Sequence, residues 1–127
     1  MDSSELAERG LKLRQELFGK EFVKERLNAF GEFGSPLQEF INAYAYGDLW
    51  QRRVLPNATK SLAIVAMMAA TSRAGELAVH LRGALKNGVS PEEIREVLLL
   101  LAIYCGVPAA NEAFKVATEV LKKESRL

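Results

Sequence analysis

The chain has 127 residues, of which 17 are basic and 16 acidic, so its formal charge is +1. That length suits one domain, and a hydrophobic content of 49% is ample for a core. Nucleic acid is not an expected partner, because the chain has no basic excess to neutralise phosphates. A single cysteine excludes an internal disulfide framework and a CxxC redox pair. One histidine and one cysteine, far apart in the sequence, are also too few for a typical zinc site, so no metal is expected.

The N-terminal segment, residues 1–5, is polar and acidic, unlike a secretory signal. The longest apolar runs extend over about nine residues, roughly half of what a bilayer span requires. These two features predict a cytoplasmic protein without a membrane partner.

Apolar residues recur with helical spacing through almost the whole chain, in segments separated by stop signals. The helices are predicted, in order, at residues 4–18, 20–33, 35–50, 57–72, 75–86, 90–106 and 107–123. Polar residues suited to capping a helix N-terminus precede four of them: Ser4, Ser35, Asn57 and Ser90. Glu93 completes a capping box with the last of these. Because no strand pattern, repeat or flexible linker appears, the sequence predicts one all-α domain over residues 1–127.

Two of these predicted helices contain segments that are apolar on every side, at residues 62–70 and 97–105. A helix in a small monomer normally keeps one face in water. Seven helices of this size can cover one such helix but hardly two, so we expect a second subunit to cover the remainder. The alternative is one central helix and one that is partly exposed.

The only histidine of the chain, His80, lies one helical turn after Glu76. This spacing places a carboxylate and an imidazole on the same face of one helix. Imidazole is the side chain whose ordinary pKa suits proton transfer near neutral pH, which favours an acid–base pair. The alternative is an ordinary surface pair, worth a few tenths of a kcal/mol.

Several motifs extend this pattern across the chain. They are Glu76-Leu-Ala-Val-His80-Leu-Arg82, the turn Asn87-Gly88, the run Ala-Ile-Tyr-Cys-Gly-Val-Pro-Ala-Ala at 102–110, and Gly47-Asp-Leu-Trp50-Gln-Arg52. With them the chain resembles the carboxymuconolactone decarboxylase family, within the wider AhpD-like superfamily, over residues 8–121. The resemblance implies an AhpD-like bundle of six to seven helices. It also implies assembly into a homo-oligomer, a hexamer built as a trimer of dimers.

The sequence departs from the family pattern at two places that border the implied substrate pocket. Arg53-Val54 follows Arg52 where the decarboxylases usually have Pro-Gly, and Gly75 stands where they often have His. The redox branch of the superfamily has a CxxC motif at positions that are Arg73 and Glu76 here. The resemblance is therefore to the decarboxylase branch without CxxC, and thiol peroxidase chemistry is excluded.

The activity implied by the resemblance is loss of CO2 from 4-carboxymuconolactone to give 3-oxoadipate enol-lactone. This reaction belongs to the protocatechuate branch of aromatic catabolism, the β-ketoadipate pathway. In such a lactone the leaving carboxylate is vinylogous to the ring carbonyl, so the released electrons spread onto an oxygen as a dienolate. No metal, pyridoxal or thiamine is then required as an electron sink, and we expect no cofactor.

Such a reaction needs a proton donor, stabilisation of the oxyanion and a cationic anchor for the remaining carboxylate. His80 is the expected proton donor, and Glu76 orients it or holds it protonated. Arg52 is the expected anchor, because a guanidinium grips a carboxylate through two hydrogen bonds; Arg73 and Arg82 are weaker candidates. The alternative for Arg52 is a plain surface charge. Aromatic side chains are expected to wall the pocket: Trp50, Tyr44 and Tyr104.

Cys105 lies in an apolar run and is expected to be an inert core or interface residue rather than a nucleophile. Two other functions stay open beside the decarboxylase. One is a relative with a drifted substrate that isomerises or hydrolyses it with the same acid–base pair. The other is a helical assembly module without catalysis. Assaying the purified protein with the lactone distinguishes the decarboxylase from these two alternatives.

Overall fold

Helices connected by short turns make up the fold, and no strand occurs, which confirms the all-α prediction. The computed structural model describes residues 1–127. Its seven α-helices are α1 (Ser3–Phe18), α2 (Lys20–Asn28), α3 (Ser35–Phe40), α4 (Asn57–Ala70), α5 (Ala74–Lys86), α6 (Pro91–Cys105) and α7 (Val107–Lys123). No helix has the length and apolar character needed to cross a bilayer. The chain divides into two compact units, Met1–Leu55 and Pro56–Leu127. The single domain expected over residues 1–127 stays a prediction.

In the first unit, α1 packs against a π-helical segment, Ile41–Tyr46, which continues directly from α3. Glycine permits this close approach. A Cβ on Gly10 would collide with the carbonyl oxygen of Asn42, and one on Gly47 would collide with backbone oxygens of both segments. Arg9 fixes the end of the π-helix, because its Nε donates to the Gly47 carbonyl at 3.1 Å.

A buried polar cluster joins α1 to the same π-helix. The guanidinium of Arg14 is buried and donates from one nitrogen to Gln38 Oε1 at 2.9 Å and to Asn42 Oδ1 at 3.0 Å. It also lies over the ring of Tyr46, 5.6 Å from the centroid. Because a buried donor without an acceptor is costly, these amide acceptors help to fix how α1 sits on the π-helix.

The second unit is a bundle in which α4, α5, α7 and α6 pack on one another in that order around a shared core, and α6 closes the ring against α4. The helices α4 and α7 also meet across the centre. Its core consists of small and branched apolar side chains with little or no exposed surface, chiefly Val65, Leu77, Leu81, Ala84, Val89, Ile94, Leu98 and Ala113. The predicted acid–base pair on α5 belongs to this bundle.

The helix boundaries predicted for the second unit are largely confirmed. Ser90 Oγ accepts from the Glu93 amide at 3.1 Å while Glu93 Oε1 accepts from the Ser90 amide at 2.9 Å, so the capping box before α6 exists. Gly88 and Gly106 end α5 and α6 with φ of 90° and 101°, a backbone conformation that favours glycine. Asn87 also donates to the buried Ser61 at 2.9 Å, which ties the end of α5 to α4.

Three predicted caps are wrong. Asp2, rather than Ser4, caps α1, because its carboxylate accepts from the Glu5 amide at 2.9 Å. Ser35 is already helical, since the 3-10 turn Gly31–Gly34 runs straight into α3 and leaves Gly34 at the cap position. Asn57 likewise lies inside α4 behind the extended residue Pro56 and makes no capping bond.

Three helices also end earlier than predicted. The second ends at Asn28, because Gly31 has a positive φ of 58° and turns the chain. The third is α-helical only to Phe40 and then widens into the π-helix that packs on Gly10. The fourth ends at Ala70, and Ser72 adopts a φ of 57° before α5 begins.

The two apolar helices are each covered on one side and open on the other. In α4, Val65 and Ala69 are buried while Met67 is 56% exposed. In α6, Leu98 is buried while Ile103 is 80% exposed. Within one chain neither helix is therefore fully covered. This differs from the alternative in which one of the two helices is central and covered on all sides. That a second subunit covers the exposed sides stays a prediction.

Candidate active site

Helix α5 carries the predicted acid–base pair near its start. The helix begins at Ala74, and the residue before it, Arg73, occupies the cap position without a capping side-chain bond. Glu76 lies in the first turn, where a carboxylate interacts favourably with the positive end of the helix dipole. His80 follows one turn later, among core residues of the same helix.

Glu76 and His80 approach each other as their spacing predicts. The distance from His80 Nε2 to Glu76 Oε2 is 3.9 Å, which is an ion-pair distance but longer than a hydrogen bond. The His80 side chain is 14% exposed and that of Glu76 is 44% exposed. A plain surface pair would leave both groups in water, whereas here the imidazole is withdrawn into the bundle and the carboxylate borders solvent. Catalytic contacts are often this loose before substrate binds.

Arg73 is the N-cap residue of α5, three positions before Glu76, and its backbone is not helical, with φ of −101° and ψ of 72°. It is exposed, and it lines a cavity of about 10 Å³ with Glu112 and residues of α4, α5 and α7. That volume holds about one water molecule and no substrate. Arg82 follows His80 by two residues, so helical geometry turns it to the other side of α5.

Arg52 lies in the first unit and is paired with an acid that the sequence analysis did not single out. Its Nε and one terminal nitrogen donate to Asp48 Oδ1 and Oδ2, each at 3.1 Å. The Arg52 side chain is 64% exposed and that of Asp48 is 41% exposed. The guanidinium thus has the two-pronged geometry expected of a carboxylate anchor, and a carboxylate of the protein already occupies it.

The pair shifts the ionisation of both groups. The hydrogen bond from Arg52 lowers the pKa of the Asp48 carboxyl below its ordinary value. In return, the hydrogen bond to Asp48 raises the pKa of the Arg52 guanidinium. Asp48 is therefore ionised at neutral pH.

Trp50 and Tyr44, two of the predicted wall residues, also lie in the first unit. Trp50 is buried and stacks on Tyr46, with ring centroids 6.0 Å apart and planes 14° from parallel. Tyr44 is partly exposed and lies against Phe40 with centroids 5.2 Å apart. It lines an open cavity of about 480 Å³ whose lining includes Glu39 but no lysine or arginine. That cavity lacks the cation that an anionic substrate would require.

Tyr104 and Cys105 lie at the end of α6, and both are exposed. The expectation that Cys105 is a core residue is wrong, because α6 packs only its other side against α4 and α7. A place for Cys105 in an interface stays a prediction. Tyr104 is 83% exposed on the outer side of α6, so its ring does not enter the core of the bundle that contains His80.

The structure therefore brings Glu76 and His80 together on α5, with Arg73 at the cap position before that helix, while Arg52 and Trp50 have their described contacts within the first unit. No group of three or more His, Cys, Asp or Glu side chains that could hold a metal ion occurs in residues 1–127.

Residues 35–119 match the family model described as the carboxymuconolactone decarboxylase family. The match includes α5 with Glu76 and His80 and extends over most of the chain. The protein belongs to the carboxymuconolactone decarboxylase family. The resemblance stated from the motifs is thereby confirmed.

Two relatives are each 37% identical to this chain. One is a 4-carboxymuconolactone decarboxylase of Acinetobacter baylyi, aligned over 122 residues that cover 96% of this chain and 91% of the relative. The other is a nitrosuccinic acid decarboxylase of Metarhizium robertsii, aligned over 116 residues that cover 91% and 81% respectively. Both relatives are decarboxylases, and this family member is an enzyme of that class, a carboxy-lyase.

Sequence reasoning missed Asp48, although a signal for it was present. Asp48 and Arg52 are four residues apart, the same spacing that drew attention to Glu76 and His80. The segment, however, is a short 3-10 turn, Leu49–Gln51, rather than a regular helix, and the sequence predicted Arg52 as an anchor for a substrate carboxylate rather than as a partner of an internal one.

Proposed function

We propose that this decarboxylase removes CO2 from 4-carboxymuconolactone to give 3-oxoadipate enol-lactone, a step in aromatic catabolism through protocatechuate. The observation that carries the proposal is the Glu76–His80 pair, with its imidazole 14% exposed on α5. It occurs in a chain that is 37% identical to a 4-carboxymuconolactone decarboxylase over nearly its whole length.

In the proposed reaction the carboxylate leaves as CO2 and its bonding electron pair passes through the double bond onto the lactone oxygen. The resulting dienolate then takes a proton at carbon. We assign that proton to His80, and solvent restores it after product leaves. Glu76, 3.9 Å from the ring nitrogen, orients the imidazole. The imidazole is only 14% exposed, and this partial burial strengthens its electrostatic interactions relative to water.

The remaining carboxylate of the substrate requires a cation. We assign this role to Arg52, because its guanidinium already binds a carboxylate, that of Asp48, through two nitrogens. Arg73 is the second candidate, since it stands at the cap position of α5, three residues before Glu76. We also propose Trp50 and Tyr104 as walls of the substrate pocket.

A second substrate is favoured by the other relative, the nitrosuccinic acid decarboxylase. In nitrosuccinate one carboxylate is attached to a carbon that also bears a nitro group. When CO2 leaves, the electron pair moves onto the nitro oxygens as a nitronate, which then takes a proton at carbon. The demands are the same as for the lactone: a proton donor, stabilisation of an oxyanion and an anchor for a second carboxylate.

The test incubates the purified protein separately with 4-carboxymuconolactone and with 2-nitrosuccinate, and measures released CO2 together with ultraviolet absorbance. We expect one CO2 for each lactone consumed, and a loss of that activity in His80→Ala. CO2 from nitrosuccinate alone would replace the first substrate with the second. An absorbance change without CO2 would indicate the isomerising or hydrolysing alternative, and no reaction with either would overturn both assignments.

We also propose that the protein works in the cytoplasm as a homo-oligomer, a hexamer built as a trimer of dimers. The exposed apolar side chains on α4 and α6 support an assembly, because a 14.0 kDa chain gains by covering them.

A further inference from the structure

We propose that the buried Arg14 is a positioning residue for the substrate anchor. It fixes the turn that carries Arg52, and it acts through the stacked rings of Tyr46 and Trp50. Arg14 is buried on α1, so it works through these other groups and not on the substrate directly. The inference rests on the proposed role of Arg52 as the anchor for a carboxylate, and it deepens that role by naming what holds the anchor in place.

Four buried side chains follow one another at four-residue spacing and lead toward Arg52. They are Gln38 in α3, Asn42 and Tyr46 in the π-helix and Trp50 in the 3-10 turn, and together they are called the buried row. A π-helix has more residues per turn than an α-helix, because its hydrogen bonds reach to the fifth residue. Side chains four positions apart therefore stay nearly in line, and the widened helix extends one buried row from α3 to the turn.

Arg14 contacts the first three members of the buried row. One guanidinium nitrogen donates to Gln38 Oε1 at 2.9 Å and to Asn42 Oδ1 at 3.0 Å. The guanidinium carbon lies 5.6 Å from the centroid of the Tyr46 ring, which is within the range of a cation–π contact. Rotation of the π-helix about its own axis would break all three contacts, so Arg14 fixes that rotation.

The last step of the buried row connects the π-helix to the turn before Arg52. The ring of Trp50 stacks on that of Tyr46, with centroids 6.0 Å apart and planes 14° from parallel. Beside it, Gln51 Nε2 donates to the Tyr46 carbonyl at 3.1 Å. Both residues belong to the 3-10 turn that Asp48 precedes and Arg52 follows. The position of Tyr46 therefore sets where the turn lies and where the guanidinium of Arg52 begins.

The burial of a guanidinium calls for an explanation beyond packing. An apolar side chain of similar volume often stabilises a protein as well as a buried charge does, or better. We attribute the presence of Arg14 to conformational specificity, because the two amide oxygens and the Tyr46 ring accept the cation in one arrangement. A turn that is already fixed binds a carboxylate without having to be ordered by it, which favours affinity.

The alternative is that Arg14 only holds α1 on the π-helix. In that case its loss would lower the stability of the protein without any special connection to Arg52. A positioning role makes a narrower prediction, because the effect on substrate binding must pass through the guanidinium of Arg52. The two roles are therefore separated by comparing KM with kcat and by combining the two substitutions.

The kinetic test uses Arg14→Met, which keeps a long side chain but removes the charge. We expect KM for 4-carboxymuconolactone to rise by about tenfold with kcat within about twofold, because a misplaced anchor loses ground-state and transition-state binding equally. In an Arg52→Ala background the same substitution should change KM by less than about twofold, because the anchor is already absent. Arg14→Lys keeps a charge at this position and should restore part of the lost affinity.

Two variants serve as controls. Lys12→Met removes the same charge from an exposed position on α1, two residues from Arg14. Ser90→Ala removes the cap of α6 in the second unit and so lowers stability without touching the buried row. Both should leave KM within about twofold, as for substitutions away from a binding site. A rise in KM with either control as large as that with Arg14→Met would overturn the proposal.

A spectroscopic test needs no substrate. Trp50 is the only tryptophan of the chain, so its fluorescence reports directly on the buried row. We expect Arg14→Met to shift the emission to longer wavelength and to increase quenching by acrylamide, whereas Lys12→Met and Ser90→Ala should match the wild type. If the wild type decarboxylates neither the lactone nor nitrosuccinate, the proposed function fails, and the fluorescence still decides whether Arg14 positions the turn.

Far-UV circular dichroism checks that each variant is helical. If Arg14→Met does not fold, Gln38→Leu replaces it, because this variant removes one acceptor of Arg14 and leaves Asn42 in place. It should change KM and the Trp50 fluorescence in the same directions by smaller amounts. Unchanged Trp50 fluorescence in the folded variant would overturn the proposal. So would a rise in KM that persists in full in the Arg52→Ala background.

Discussion

Arg52 and Asp48 hold each other through two parallel contacts of 3.1 Å, from the guanidinium to both oxygens of the carboxylate. The proposed anchor for the substrate is thus paired with an internal carboxylate. A substrate carboxylate that binds Arg52 must displace Asp48 or share the guanidinium with it. Mutations at these two positions, and at the neighbouring Arg53, can therefore separate binding from chemistry.

We expect Arg52→Ala to raise KM much more than it lowers kcat. The anchored carboxylate keeps its charge throughout the reaction, so the guanidinium binds ground state and transition state about equally. Loss of a charged hydrogen bond of this kind costs about 1.5–3 kcal/mol, or roughly 10- to 150-fold in KM. Steady-state kinetics with the lactone measure both parameters.

The control is Arg53→Ala, which removes the same charge one residue further along. It should leave KM within about twofold, because most exposed charges contribute little. If Arg52→Ala leaves KM unchanged and Arg53→Ala raises it, the anchor is Arg53. If neither variant changes KM, the anchor lies elsewhere, and Arg73 is the next candidate.

Asp48→Asn should lower KM by a factor of about two to five, with kcat unchanged. The variant removes the charge that competes with the substrate for Arg52, and an exposed ion pair is weak enough for the gain to be modest. A rise in KM would show instead that Asp48 positions the guanidinium for the substrate. The double variant Asp48→Asn with Arg52→Ala distinguishes these roles from a general effect, because without the guanidinium either effect should vanish.

The ionisation of Asp48 gives an independent view of the pair. Arg52 lowers the pKa of Asp48, so the pair stabilises the folded state above the unfolded pKa of about 3.9 and loses that contribution as pH falls through the lower folded value. Carbon-detected NMR titration of the Asp48 carboxyl should have its midpoint below 3.9 in the wild type and closer to it in Arg52→Ala. Equal midpoints would mean that the two side chains do not interact in solution.

His80→Ala should abolish turnover while leaving helicity and assembly intact. His80 is the only imidazole of the chain, and general acid–base assistance is worth about 10²–10⁴-fold in rate. Glu76→Gln keeps the size of the side chain but removes its charge, so a smaller fall in kcat is expected if the carboxylate orients the ring. An unchanged kcat in a well-folded His80→Ala protein would assign the proton to another donor, with Glu76 examined next.

Regular helices with strong end signals could be predicted from the sequence almost to the residue. Ser90 with Glu93 and the glycines at 88 and 106 act through local backbone chemistry, which the sequence contains in full. The π-helix at Ile41–Tyr46 could not be predicted this way. Its widened turns accompany the close approach of α1 at Gly10 and Gly47, a contact between residues more than 30 positions apart.

In the candidate site, too, the features set by local spacing could be predicted, and those set by packing could not. The Glu76–His80 pair follows from helical spacing alone, and the structure confirms their proximity at 3.9 Å. The partial burial of His80 depends on how α5 packs in the bundle, and helical spacing alone does not predict it. Asp48 was missed because an irregular turn, and not a helix face, brings it to Arg52. The exposure of Tyr104 and Cys105 likewise depends on which side of α6 meets its neighbours.

The capping residues provide a last prediction, on stability. Ser90→Ala should destabilise the protein by about 1 kcal/mol, within the usual 0.5–2 kcal/mol for loss of an N-cap, because the Glu93 amide loses its acceptor at 3.1 Å. Asn57→Ala is the matched control: Asn57 also stands at a helix start, but Pro56 occupies the cap position and α4 has no capping side-chain bond. Its effect should stay within about 0.5 kcal/mol, as for an ordinary surface substitution. Urea unfolding followed by circular dichroism measures both. An Asn57→Ala loss as large as that of Ser90→Ala would show that Asn57 caps α4 in solution, as the sequence alone suggested.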